Sequence, residues 1–140
     1  MKSRIAAIVA TTFSFLACAS THAASVYLTP ASTTVSQSDG TATFALFMDF
    51  TGTPTIGGGI DLDVTGPLTF NSFTPTSYFS ALDTTFTGHG TVHADADYQI
   101  HFGDFAGLSG VNKLGDVKVN LTGPGAGGIA LAINNYYGAF

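Results

Sequence analysis

The stretch Thr41-Ala42-Thr43-Phe44-Ala45-Leu46-Phe47-Met48-Asp49-Phe50 decides the fold class. Phe44, Leu46, Met48 and Phe50 take every second position, with Thr43, Ala45, Phe47 and Asp49 between them. Side chains of an extended chain alternate between its two faces, so this period of two predicts a strand with one side on a core. A helix would place apolar residues at steps of three and four, and no segment of ten or more residues follows that pattern.

Working outward, the same signal recurs at short intervals. Ile60-Asp61-Leu62-Asp63-Val64 alternates cleanly and predicts Ile60, Leu62 and Val64 inward, with both aspartates on a wet face. Further strands are expected at Val26–Leu28, Thr33–Val35, Leu68–Phe73, Tyr98–Phe102, Gly115–Leu121 and Ile129–Ile133, with a short helical turn near Ser77 to Leu82. Ser38-Asp39-Gly40, Gly57-Gly58-Gly59 and Gly66-Pro67 read as turns or strand entries, where positive φ or a fixed φ is wanted. The expected fold is all-β: a single jelly-roll-like β-sandwich of eight or nine strands.

The first 24 residues read differently. Met1-Lys2-Ser3-Arg4 is a short basic start, Ile5 to Ala17 an apolar run, and small residues follow in CASTHAAS. That is the layout of a secretory signal peptide, with a short apolar helix between a charged end and a small-residue cleavage site after Ala23 or Ala24. The expected organisation is a signal peptide over 1–24 and a β-sandwich domain over 25–140, in a secreted, extracellular or cell-surface protein. Phe15-Leu16-Ala17-Cys18 loosely matches a lipobox, with Phe where Leu is expected, which raises a lipid anchor at Cys18 as an alternative. The apolar run is shorter than the roughly 20 residues of a membrane span, and no second one follows, so no transmembrane segment is expected.

Without the leader the composition sharpens. Of four bases, Lys2 and Arg4 go, as does the one cysteine. Nine aspartates then face Lys113 and Lys118, a net charge of −7, and there is no Glu and no Arg. Nucleic acid is an unfit partner for such a surface, because phosphate affinity comes from Lys and Arg. No disulfide can form inside the domain, which leaves core and sheet ladder to hold it. Disorder is excluded by 12% aromatic residues and low charge.

The order of these pieces carries a family resemblance. The opening VYLTPASTTVSQSDGTATFALFMDF, then GGGIDLDV with GPLTFNSF, and late in the chain LGDVKVNLTGPGAGGIALAIN together resemble a cohesin-like domain, related to carbohydrate-binding modules, of exported bacterial proteins. The likeness spans most of residues 26–135. It implies a nine-stranded jelly-roll sandwich with a non-catalytic binding or scaffold role. The chain departs from the family pattern at Ser38-Asp39-Gly40, where Gly-Asp is usual, and at Gly66, where an aspartate often precedes the proline. The usual PEP-type C-terminal sorting signal is not found in these 140 residues.

Few residues could carry chemistry. His89, His93, Asp95 and Asp97, with His101 nearby, form the densest set of imidazoles and carboxylates, a candidate site for calcium or zinc. Their spacing matches no strong metal motif, and a solvated polar loop is the plain alternative; otherwise no cofactor is expected. Asp61 and Asp63 could form an acid pair, but carboxylates two apart on a strand more often keep a sheet face wet. No nucleophile elbow, phosphate loop or dinucleotide fingerprint is present, so no catalytic residue is assigned. The aromatic end Asn134-Asn135-Tyr136-Tyr137-Gly138-Ala139-Phe140 either packs on its own domain or meets a partner, with Tyr136, Tyr137 and Phe140 as candidate self-assembly contacts.

Three functional classes follow. The first is a secreted structural or assembly subunit whose partner is itself, in a homo-oligomer, filament or matrix joined by strand-mediated contacts. The second is a cohesin-like module that binds another surface protein or a glycan, with Tyr27, Tyr78, Tyr98, Tyr136 or Tyr137 stacking on sugars. An enzyme is third, for want of an acid, base or nucleophile set.

Overall fold

A computed structural model of the chain describes residues 6–13, 24–91, 93–134, 136 and 137, with the backbone alone for 6–13. Lys2, Arg4, Cys18, Ala23 and Phe140 lie outside the described residues.

Two sheets pack face to face. Sheet B runs in the order β2 (Ser25–Thr29), β4 (Thr41–Asp49), β9 (Val111–Leu121), β6 (Leu68–Pro75), all antiparallel neighbours. Sheet A runs β3 (Ser32–Ser36), β1 (Ala6–Phe13), β10 (Ala126–Ile133), β5 (Thr55–Thr65), β8 (Tyr98–Leu108), β7 (Gly88–Gly90). Every sheet A pair is antiparallel except β1 with β10. The one α-helix among the described residues, α1, is a single turn at Ser77–Ser80, capped by Thr76, whose hydroxyl accepts from the Phe79 N–H.

The alternation read from the sequence is the alternation of the core. Phe44, Leu46, Met48 and Phe50 are fully buried and meet Ile60, Leu62, Ile100, Phe102 and Ile129 from the facing sheet. Leu114, Val117 and Val119 add the β9 contribution. Each such side chain removed from water stabilises the fold by about 1.5–3 kcal/mol. The Ser38-Asp39-Gly40 turn forms as expected: Ser36 and Asp39 make a reciprocal capping box, and Gly40 takes the left-handed φ of 71° that closes it.

Three expectations change. Gly57-Gly58-Gly59 does not precede β5 but lies inside it, because the strand approaches β8 so closely that a Cβ on Gly57 would run into the Phe102 carbonyl. Asp61 is not on a wet face: it is 8% exposed, since the segment 91–97 and the turn after β10 fold over the outside of sheet A. Within the segment read as a leader, Ala6–Phe13 is a strand rather than a helix, and Ile8, Val9, Thr11 and Thr12 are β-branched types that favour an extended chain.

Candidate functional site

The outer face of sheet A holds the polar and aromatic residues that the sequence singles out. Its centre is Gln99, fully buried although it points away from the core. The Gln99 amide donates to the carboxylates of Asp61 and Asp95, both at 3.1 Å, and its oxygen accepts the backbone N–H of His93 at 2.8 Å. Asn134, equally buried, donates to the same Asp61 oxygen, while its own oxygen accepts the N–H groups of Tyr136 and Tyr137. Among the described residues no buried side-chain polar atom lacks a partner. One network therefore ties both the 91–97 segment and the chain end to β5, and such a fully satisfied network rigidifies the elements it joins.

That attachment decides where the tyrosines go. Tyr136 stacks flat on His93, with ring centres 3.6 Å apart and planes 3° from parallel. Tyr137 stacks on His101 at 4.1 Å and 11°. Glycine makes the second stack geometrically feasible: a Cβ on Gly59 would sit 2.9 Å from Tyr137, and one on Gly88 equally close to the His101 ring. The Nδ1–H of His101 donates to the Phe86 carbonyl at 3.0 Å, which orients its ring. Tyr136 and Tyr137 thus pack in cis, yet remain 66% and 39% exposed.

The candidate metal residues are not brought together. Among the described residues no three His, Cys, Asp or Glu side chains converge as a metal site would require. Asp95 accepts from Gln99, and Asp97 accepts the Val64 N–H at 2.7 Å, so both carboxylates secure the loop. His89 lies on the other side of sheet A, where its ring meets Phe73 edge-on at 5.2 Å and its Nδ1 pairs with the Tyr98 hydroxyl at 2.6 Å. Alternation explains the split, because His89, exposed at the sheet edge, lies on the same side of sheet A as its buried partner Ile100, while Gln99 and His101 lie on the opposite side. Burial lowers the His89 pKa from its ordinary 6.5, and nearby His101 adds to the effect; burial also raises Tyr98 and Tyr78, the latter with a contribution from Asp104. The proposed acid pair is likewise occupied, with Asp61 held by Gln99 and Asn134, and Asp63 accepting the Asp97 N–H.

Beside the Tyr137–His101 stack lies a groove of about 190 Å³ that sequence reasoning missed. Gly57, Gly58 and Gly103 form its floor, and Ile56, Phe86 and Phe105 stand at its walls. Phe105 is 72% exposed and packs edge-on against Phe86 at 4.7 Å. The only signal in the sequence was the excess of glycine at 57–59, read as the lead-in to a strand.

The sheet edges form the second candidate surface. None of β2, β3, β6 or β7 carries a charged residue, and neither does β10. Lys113 and Lys118 both lie on β9, which is flanked on each side by another strand. No helix among the described residues is long and apolar enough to cross a membrane.

Comparison with family models, with curated proteins and with solved structures returned no match.

Proposed function

We propose that the processed chain is a secreted, non-catalytic structural subunit that joins copies of itself through its sheet edges. The observation that carries this reading is the absence of charge, among the described residues, from every strand with an open edge. Sheet proteins that stay monomeric guard their edges with lysine, proline, bulges or inward charge. Here Pro75 and a bulge at β6 are the main such devices, and the lysines stand where no edge needs them. The carboxylates and imidazoles that might have served catalysis are engaged in holding loops. Negative-stain microscopy of secreted, untagged protein across pH and calcium concentration should show polymers. Monomers alone under all conditions would reject the reading.

The groove supports a second reading, that of a cohesin-like or carbohydrate-binding module. A glycine floor with aromatic walls suits a flat ligand such as a sugar ring. Glycan-array binding or a dockerin pull-down should then give a signal that Tyr137→Ala removes, and silence in both assays would reject it.

A further inference from the structure

The parallel pairing of the leader strand has a consequence for the processed protein. Strand β1 sits between β3 and β10, with Ile8 opposite Ala126 through Phe13 opposite Leu131 on one side, and Ala6 opposite Ser36 through Ala10 opposite Ser32 on the other. Within sheet A, β3 has no other neighbour. Cleavage after Ala23 or Ala24 would thus empty one strand position, expose the free edge of β10 and leave β3 without a sheet partner. We infer that the β10 edge, which pairs with residues 6–13 in the full chain, is an open slot in the processed chain and takes a strand from a second copy. The inference rests on the assembly reading and names the contact.

Three features favour that occupant. The pairing with residues 6–13 demonstrates that the β10 edge accepts an added strand, in register over six residues. The accepted sequence, AAIVATTF, is uncharged and eight residues long, and so is β10 itself, AGGIALAI; the other edge strands are equally uncharged. A second copy therefore offers edges of the chemistry that the slot takes, with backbone hydrogen bonds as the source of affinity. Closure in cis would require β3 to move sideways by about 4.8 Å, one strand spacing. Short tethers oppose that shift: residues 30 and 31 join β3 to β2 in the other sheet, and the capped turn at Gln37–Asp39 leads directly into β4. Among the residues whose side chains are described, every fully buried hydrophobic lies at Leu28 or later, within the processed chain.

The test compares three samples by analytical ultracentrifugation: the full chain 1–140 kept from export, the processed chain 25–140, and the processed chain with an excess of the peptide AAIVATTF. The expected result is a monomeric full chain, a multimeric processed chain, and loss of the multimers on adding the peptide. Ala130→Lys on β10 should also abolish the multimers, since its side chain is exposed and its neighbour Asp63 accommodates a cation. Circular dichroism checks that this variant folds. Multimers that survive both the peptide and Ala130→Lys, or that form equally with the leader attached, would overturn the slot while leaving assembly standing. Monomers in every sample would overturn the assembly reading together with the slot, and protection of β10 amides from hydrogen exchange in that monomer would identify cis closure as the reason.

Discussion

Strands β9 and β10 follow one another across a short turn, yet they occupy opposite situations. β9 lies inside sheet B, paired along its length with β4 and β6, and carries Lys113, Asp116 and Lys118. β10 carries no charge, and one of its two neighbours is β1. Charge on β9 keeps the outer side of an interior strand in water. The same charges on β10 would have guarded an edge. The contrast teaches that this domain places both described lysines on an interior strand and none on the edge strands.

Substitutions on the two strands should separate stability from assembly. The largest loss is expected for Leu114→Ala on β9, a fully buried position, at about 2–5 kcal/mol in urea denaturation. A cost below about 1 kcal/mol would mean that the β9 core is less tightly packed than its burial indicates. Asn134→Ala, just beyond β10, removes one donor to the buried Asp61 carboxylate and both acceptor bonds of the tyrosine turn, and should cost about 1–3 kcal/mol. With no tryptophan in the chain, the difference in tyrosine fluorescence between Asn134→Ala and the same variant carrying Tyr136→Phe and Tyr137→Phe reports whether these two rings leave their histidines.

Smaller effects sharpen the comparison further. Lys113→Ala on β9 breaks the pair with Asp116 at 2.8 Å, but both side chains are more than a third exposed, so a change of about 0.2–1 kcal/mol is expected, with assembly retained. Ala130→Lys on β10 should leave stability within about 0.5 kcal/mol and remove assembly. If instead Lys113→Ala abolishes multimers, sheet B and not the β10 edge makes the contact. The weakest expected effect is that of pH. Burial beside Phe73 and Phe79 holds His89 below its ordinary 6.5, so the unfolded chain binds more protons in the window just under that value. The stability it contributes is therefore complete above pH 6.5 and is lost as pH falls toward the folded value. Thermal midpoints should drop through that window less in His89→Gln than in the wild type, and equal slopes would assign the acid sensitivity to other groups.

Much of the fold was legible because it depends on local periodicity. Phe44 through Phe50 announced a half-buried strand, and Ser38-Asp39-Gly40 announced its turn. Alternation at Ile60 to Val64 correctly placed Ile60 and Leu62 in the core. It misplaced Asp61 because alternation tells which way a side chain points, not what covers it there. The glycines at 57–59 misled for a related reason: glycine serves turns and close strand approach equally, and only the Phe102 carbonyl across the gap discriminates.

The candidate site was less legible still. His93 meets Tyr136, and His101 meets Tyr137, across roughly forty residues of chain. His89 looked like a partner of His93 in the sequence and was separated from it by the strand pleat. The groove beside Tyr137 left only the glycines at 57–59 as a local trace, since its lining comes from four separate segments, 56–58, 85–86, 102–105 and 137.

By itself the sequence determined an all-β chain, the core face of its main strands, and a charge set of nine aspartates against two lysines beyond the first 24 residues. These follow from residue type and a two-residue period, which every stretch of chain carries within itself. Only the tertiary structure decided that Asp61 is buried, that the tyrosines lie on histidines, that the edge strands among the described residues carry no charge, and that residues 6–13 pair with β10. Those outcomes depend on which distant segments share a sheet, and strand register across a sheet is set by packing between segments that have no neighbours in common along the chain.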